Sequence, residues 1–143
     1  MNEALHLVAR IAGRAVAVLS DQVDSVVDLG PVTPVPLAAP GVIGLAALRS
    51  RVVTVIDPRI ALGVPADAVL SRAIVAQVDG HAYAVLVDAL EDVAGYRTLP
   101  LPAGVAMGGT WALAGSGLLD RPGEPVLVVD IARLVPDAVA LAA

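Results

Sequence analysis

GRAVAVLSDQVDSV, residues 13–26, returns 67 residues later as GHAYAVLVDALEDV, residues 80–93. The match holds at Gly13 and Gly80, Ala15 and Ala82, Ala17 and Ala84, Val18 and Val85, Leu19 and Leu86, Asp21 and Asp88, and Val26 and Val93. Further along, Thr33-Pro34-Val35-Pro36 is answered by Leu99-Pro100-Leu101-Pro102, and Val55-Ile56-Asp57 by Val128-Val129-Asp130 at an offset of 73. One supersecondary plan is therefore used twice, with a longer turn around Asp120–Glu124 in the second copy. Two copies are too few for a solenoid. They predict two similar subdomains, with halves near 13–57 and 80–130, packed together across a groove within a single domain of residues 1–143.

The segments around the repeat are short, rich in Val and bounded by Gly, Pro and Asp, which predicts strands. The expected strands are Leu5–Ile11, Ala15–Leu19, Val23–Asp28, Arg51–Ile56, Ala73–Val78, Ala82–Val87, Trp111–Leu118 and Pro125–Val129. Asp79-Gly80 reads as a tight hairpin turn, because Gly accepts the positive φ that primed turns require, and Ala12-Gly13 is its counterpart. Ala15–Leu19 is apolar at every position instead of alternating. Such a strand must be buried on both faces, as in small barrels packed on one another. Helix is confined to short turns: Asp57 and Asp130 read as N-caps, with Pro58 at a first helical position, Gly63 as a stop and Pro136 as an interruption of the C-terminal helix. Pro31–Gly41 reads as an extended surface connection.

Composition removes several function classes. The 143 residues carry nine Arg and no Lys, a formal charge of −5, no Cys, no Phe, and only Tyr83, Tyr96 and Trp111 as aromatics. With neither a basic stripe nor aromatic stacking platforms, nucleic acid is not an expected partner. Absent Cys and Lys exclude thiol catalysis, disulfides, Schiff bases and Walker-type loops. His6 and His81 fall in different repeats and read as a surface-strand and a turn histidine. Asp21, Asp24, Asp28, Asp88 and Asp92 read as a solvated face, with no metal site. The uncharged stretches Leu29–Leu48 and Thr98–Leu119 are broken by prolines and glycines, so neither is expected to insert in a membrane. With no leader pattern at the start, the expectation is a cytoplasmic protein without cofactor and without enzymatic activity.

Gly41–Gly63, GVIGLAALRSRVVTVIDPRIALG, resembles the CheW-like adaptor family of bacterial chemotaxis, whose pattern runs roughly G-V-I-N-L-R-G-x-V-x-P-V-I-D-L-R. Gly44, Leu48, Arg49, Val52, Val55, Ile56, Asp57 and Arg59 match in register. Ala15–Leu19, Val23–Val26, Thr33–Pro36, Ala84–Val93 and Val126–Asp130 extend the resemblance over most of the chain. The departures are Ala47, Ser50 and Thr54, in place of Asn, Gly and Pro, and Ser25, where an acidic residue is usual. The resemblance implies an all-β fold of two five-stranded SH3-like barrels with a short C-terminal helix. It also implies a non-enzymatic scaffold, recruited to membrane-associated arrays, that couples a chemoreceptor's cytoplasmic tip to the regulatory domain of a CheA-type histidine kinase. Arg49 corresponds to an arginine near the groove that contacts receptors, and Leu48, Ser50, Val26 and Val27 are the further partner-binding candidates. Arg51 and Arg59 read as packing residues. The alternative is a stand-alone interaction or ligand-binding module that has lost kinase coupling.

Overall fold

The computed structural model describes residues 3–61, 63–65, 69–101 and 115–135. Pro136 and the first part of the expected strand Trp111–Leu118 lie outside them. Among the described residues there are twelve strands: β1 (Ala4–Ile11), β2 (Arg14–Leu19), β3 (Ser25–Asp28), β4 (Val32–Thr33), β5 (Val42–Leu48), β6 (Arg51–Ile56), β7 (Arg72–Val78), β8 (His81–Leu86), β9 (Ala89–Tyr96), β10 (Thr98–Leu99), β11 (Gly115–Leu119) and β12 (Leu127–Val129). The described residues also form two one-turn helices, α1 (Pro58–Ala61) after β6 and α2 (Ile131–Leu134) after β12.

The strands form two six-stranded sheets with orders β10-β11-β12-β2-β1-β9 and β4-β5-β6-β8-β7-β3. The expected five strands per barrel become six because two-residue strands, β4 and β10, extend one edge of each sheet. Position for position the two orders are the same, but the hairpins are exchanged. Hairpin β1–β2 joins the four strands of the second half, and hairpin β7–β8 joins the four strands of the first. The seams are parallel pairings, β12 with β2 and β6 with β8. Neither sheet can be completed from one half of the chain.

The local chemistry of the hairpins follows the expected turn rule. Ala12 and Gly13 sit at φ 52° and 79°, and Asp79 and Gly80 at 51° and 81°, so both central residues of each two-residue turn are left-handed. Side chains of these hairpins alternate between two cores. Leu7, Ala9, Ile11, Val16 and Val18 of one meet Ile74, Ala76, Tyr83, Val85 and Val87 of the other in a core shared between the sheets, joined by Ile56, Leu127, Val129, Ile131 and Leu134. The opposite faces fill the barrels: Val8, Ala15 and Ala17 with Leu119, Val126 and Val128 in one, and Ala73, Val75, Ala84 and Leu86 with Ala46, Val53 and Val55 in the other. Three cores in succession account for strands that are apolar at every position.

Burying a Val or Leu contributes roughly 1.5–3 kcal/mol, against about 0–1 kcal/mol for an exposed ion pair. The fifteen buried residues of the shared core therefore outweigh the surface ion pairs in holding the sheets together. The cap expectations agree with the structure. Asp57 Oδ1 accepts from the Arg59 backbone N–H at 3.0 Å, and Asp130 Oδ1 from that of Ala132 at 3.0 Å.

Other expectations are corrected. His6 is not on the surface but fully buried. Its Nδ1 lies 2.8 Å from the Ala4 carbonyl and therefore donates, which leaves Nε2 to accept from the Thr98 hydroxyl at 3.3 Å. The covering strand β10 is only two residues long and leaves no periodic signal. The acidic positions Asp21, Asp24, Asp28, Asp88 and Asp92 are exposed, as a solvated face should be, and four of them also hold partners. Asp24 and Asp28 hold Arg51 and Arg72, Asp88 accepts from the Gly13 N–H, and Asp92 from the Tyr96 hydroxyl.

Tyr83 is the one wholly buried aromatic among the described residues. Burial pushes its hydroxyl above the ordinary value of 10.0, with the negative charge of Asp79 adding to the shift. The folded state then keeps this proton where the unfolded chain releases it, so stability is full below pH 10 and falls as pH rises through the folded value. With no Lys and no Cys in the chain, tyrosine is the only side-chain type present whose ordinary range lies there. Urea midpoints measured across the alkaline range should drop steeply in wild type and much less in Tyr83→Phe. An equal drop would show that Tyr83 ionisation is not the cause.

Candidate functional site

Strand β5 is where the sequence pattern is least regular, and it is the strand that carries the site. Gly44 packs so closely on β4 that a Cβ there would meet the Thr33 carbonyl oxygen at 2.1 Å. A bulge between Val42 and Gly44 adjusts the register to β6. From Gly44 the β5–β6 hairpin runs out to Leu48, paired with Arg51 across a two-residue turn of Arg49 and Ser50. Arg49 takes φ 54°, a left-handed conformation that non-glycine residues seldom adopt. The family pattern has Gly one position later, at Ser50, so the positive φ falls on the arginine itself.

This turn lies against β3. Arg51 donates from Nη2 to Asp24 Oδ2 at 3.1 Å, which draws the start of β6 onto the start of β3 where the sheet curls closed. Arg72 holds the other end of β3 through Asp28 at 2.6 Å. Between turn and strand is a cavity of about 310 Å³ lined by Ser25, Val26, Val27, Leu48, Arg49, Ser50 and Arg51. The five candidates from the sequence, Arg49, Leu48, Ser50, Val26 and Val27, are thus brought together. Arg51 and Ser25 line the same cavity. Val26 and Val27 are half-buried and not exposed on a strand edge. Pairing with β7 turns Val26 toward the shared core and Val27, like Leu48, toward the barrel interior. All of the lining comes from one sheet, at one barrel's end.

Arginine pairing separates this end from its counterpart. Arg10 reaches Glu91, and donates to Glu124 Oε1 at 2.7 Å and to the Gly13 carbonyl at 2.7 Å. Hydrogen bonds to the two carboxylates raise the Arg10 pKa, and the same contact lowers that of Glu124. Arg97 donates to Asp120 at 2.6 Å, and Arg121 stands 5.8 Å over the Tyr96 ring. These contacts fill the end formed by β9 and the long β11–β12 turn. Arg59, expected to be a packing residue, is buried as a fork on Asp57, with Nε 2.9 Å from Oδ1 and Nη2 2.8 Å from Oδ2. Arg49 is exposed, and among the described residues it has neither an ion pair nor a side-chain hydrogen bond.

A second apolar surface was not foreseen. The faces that build the shared core continue past it as exposed Leu5, Val93 and Leu99 on one sheet and Leu45 and Val52 on the other. Their signal was present as apolar residues in phase with the core, but β9 and β5 had to be assigned before that phase could be read. Among the described residues no helix is long and apolar enough to cross a membrane, and no three His, Asp or Glu side chains converge on a metal site.

These features define a two-barrel, all-β module whose distinctive surfaces are a cavity of mixed polar and apolar lining at one barrel end and apolar margins beside the shared core. The sequence profile of the CheW-like domain matches residues 5–139, and the chain belongs to that family. Among solved structures it is similar to the scaffolding protein TtCheW from Thermoanaerobacter tengcongensis, with a TM-score of 0.81 and 18% identity over 94% of each chain. At that identity the likeness shows the fold of two SH3-like subdomains. No curated protein matches the sequence.

The left-handed arginine gives a direct test of whether this turn is shaped for stability. Arg49→Gly removes the Cβ clash and should raise unfolding free energy by about 1 kcal/mol in urea titrations. A lowered midpoint would mean that the arginine side chain itself holds the turn.

Proposed function

We propose that the chain is a non-enzymatic adaptor that couples the helical cytoplasmic tip of a chemoreceptor to a CheA-type histidine kinase. The observation that carries this reading is the barrel-end cavity. Val26, Val27 and Leu48 line it beside Ser25, Ser50 and Arg51, and Arg49, which among the described residues has no ion pair or side-chain hydrogen bond, is held there in an unfavourable backbone conformation. Strain of this kind collects at sites where function fixes the geometry. A guanidinium offers several donors in a fixed plane and is a frequent anchor at interfaces.

Membership of the CheW-like family and likeness to a protein described as a scaffold support an adaptor in chemotaxis-like signalling. Two partners need two surfaces. Because the cavity is built from one sheet at a barrel end, we assign it, in place of the receptor contact that the resemblance implied for Arg49, to pairing with the barrel of the kinase's homologous regulatory domain. The receptor helix is then assigned to the apolar margins beside the shared core, where Leu5 and Val93 on one sheet and Leu45 and Val52 on the other offer the contacts an amphipathic helix needs. Function in the cytoplasm, beside membrane-associated receptors, follows from those partners. No step requires a cofactor.

Arg49→Glu should melt like wild type while its affinity for the kinase regulatory domain falls by about 1–3 kcal/mol, the usual cost at a central interface residue. Binding of a receptor-tip fragment should change little. Calorimetric titration of both partners, beside a thermal melt, checks this. Unchanged binding of both by a normally melting variant would remove Arg49 from the site. A lowered melt with both affinities reduced would make its role structural.

A further inference from the structure

The internal repeat sets the two barrel ends against each other residue by residue. Ser25 faces Val75 across β3 and β7, and Asp92 faces Val8 across β9 and β1, so Ser25 and Asp92 are equivalent at the offset of 67. Asp24 then corresponds to Glu91, and Gln77 to Arg10. Leu45 pairs with Thr54 and Leu118 with Leu127, which carries the offset of 73 through both turns. Arg49 therefore corresponds to Pro122, and Arg51 to Glu124.

Charge is reversed between these positions. In the second half one arginine, Arg10, stands against three carboxylates, Glu91, Asp92 and Glu124; in the first half two arginines, Arg49 and Arg51, stand against one, Asp24. Arg10 holds Glu124 with a fork, from Nη1 to Oε2 at 3.0 Å and from Nη2 to Oε1 at 2.7 Å. Asp24 is taken by Arg51 at 3.1 Å, and among the described residues no carboxylate is within reach of Arg49. The cavity lining offers Arg49 two serine hydroxyls, Ser25 and Ser50, and includes neither Asp nor Glu. One barrel end thus carries both members of an arginine–carboxylate fork, and the other carries the arginine alone.

We infer that this cavity is a carboxylate site, filled by an Asp or Glu side chain of the bound partner protein. Its carboxylate lies on the Arg49 guanidinium and accepts from the Ser25 and Ser50 hydroxyls, and its methylenes lie on Val27 and Leu48. Apolar lining beside a single arginine suits a carboxylate carried on a short hydrocarbon stem; it does nothing for a free, hydrated phosphate. Specificity follows from charge: a partner with Lys or Arg at the matching position meets two arginines and is rejected. The inference rests on the reading that a partner protein occupies this cavity.

The chain alone supplies the first test. Ser25→Asp places a carboxylate at the position of Asp92 in the other half, where it can serve as the missing partner of Arg49. Its urea midpoint should exceed that of Ser25→Asn, and the gain should vanish when both are made in an Arg49→Gln background. No gain, or a gain that survives Arg49→Gln, overturns the proposal. The second test is titration with the kinase regulatory domain. The internal carboxylate displaces the partner's, so Ser25→Asp should bind roughly tenfold more weakly than Ser25→Asn. Equal affinities of the two variants for a domain that binds wild type overturn it. If the domain does not bind wild type while the stability coupling holds, the kinase assignment falls and the carboxylate site stands. Amide shifts of Arg49 and Ser50 under acetate and under inorganic phosphate, at matched ionic strength, separate the sources. Acetate should act at least as strongly, and a clear preference for phosphate would make this a free-anion site and overturn the proposal.

Discussion

Contact between the two exchanged hairpins is the constraint on which the rest of the molecule depends. Each hairpin has one apolar face turned into a barrel built from the other half of the chain, and its second face turned against its counterpart. Removing either hairpin opens a barrel and strips the shared core together. A chain with almost no aromatic volume can be held this way because Val, Leu and Ile on three successive layers replace the large side chains of an ordinary single core. Ion pairs are numerous on the surface, but most are exposed and individually weak.

This arrangement frees the barrel ends from structural duty, and the two ends are treated differently. At one, Arg10, Arg97 and Arg121 are engaged with Glu91, Glu124, Asp120 and Tyr96, and the long turn is stitched down. At the other, a two-residue turn holds Arg49, which among the described residues has no ion pair or side-chain hydrogen bond, beside a cavity of mixed lining. A near-symmetric fold has one end sealed and one end open. The proposed adaptor role is an account of that asymmetry, with the apolar margins of the shared core as the second surface.

Much of the fold was legible because its decisive signals are local. Asp79-Gly80 and Ala12-Gly13 announce hairpins by turn chemistry, and a strand that is apolar throughout can only lie between two cores. What escaped is non-local. The exchange of hairpins depends on parallel pairing between residues far apart in sequence, such as Thr54 with Tyr83. Strand β9 has no fully buried residue and is held by pairing with β1, so its pattern looks like a loop. Strand β5 is obscured by Gly44 and its alanines. The candidate site was legible at Leu48, Arg49 and Ser50 because a turn motif is contiguous. Val26 and Val27 were found, but their phase was not, because it is set by β7. Both valines turned out half-buried, one toward each core.

The central claim is that the shared core makes the two barrels one cooperative unit. Native-state hydrogen exchange, followed strand by strand in rising denaturant, tests it most directly. Amides of β5 and β6 in one barrel and of β11 and β12 in the other should merge with those of both hairpins into a single global opening of the same free energy. If one barrel's strands lose protection at a lower denaturant concentration while the other's persist, the barrels are independent domains and the account is wrong.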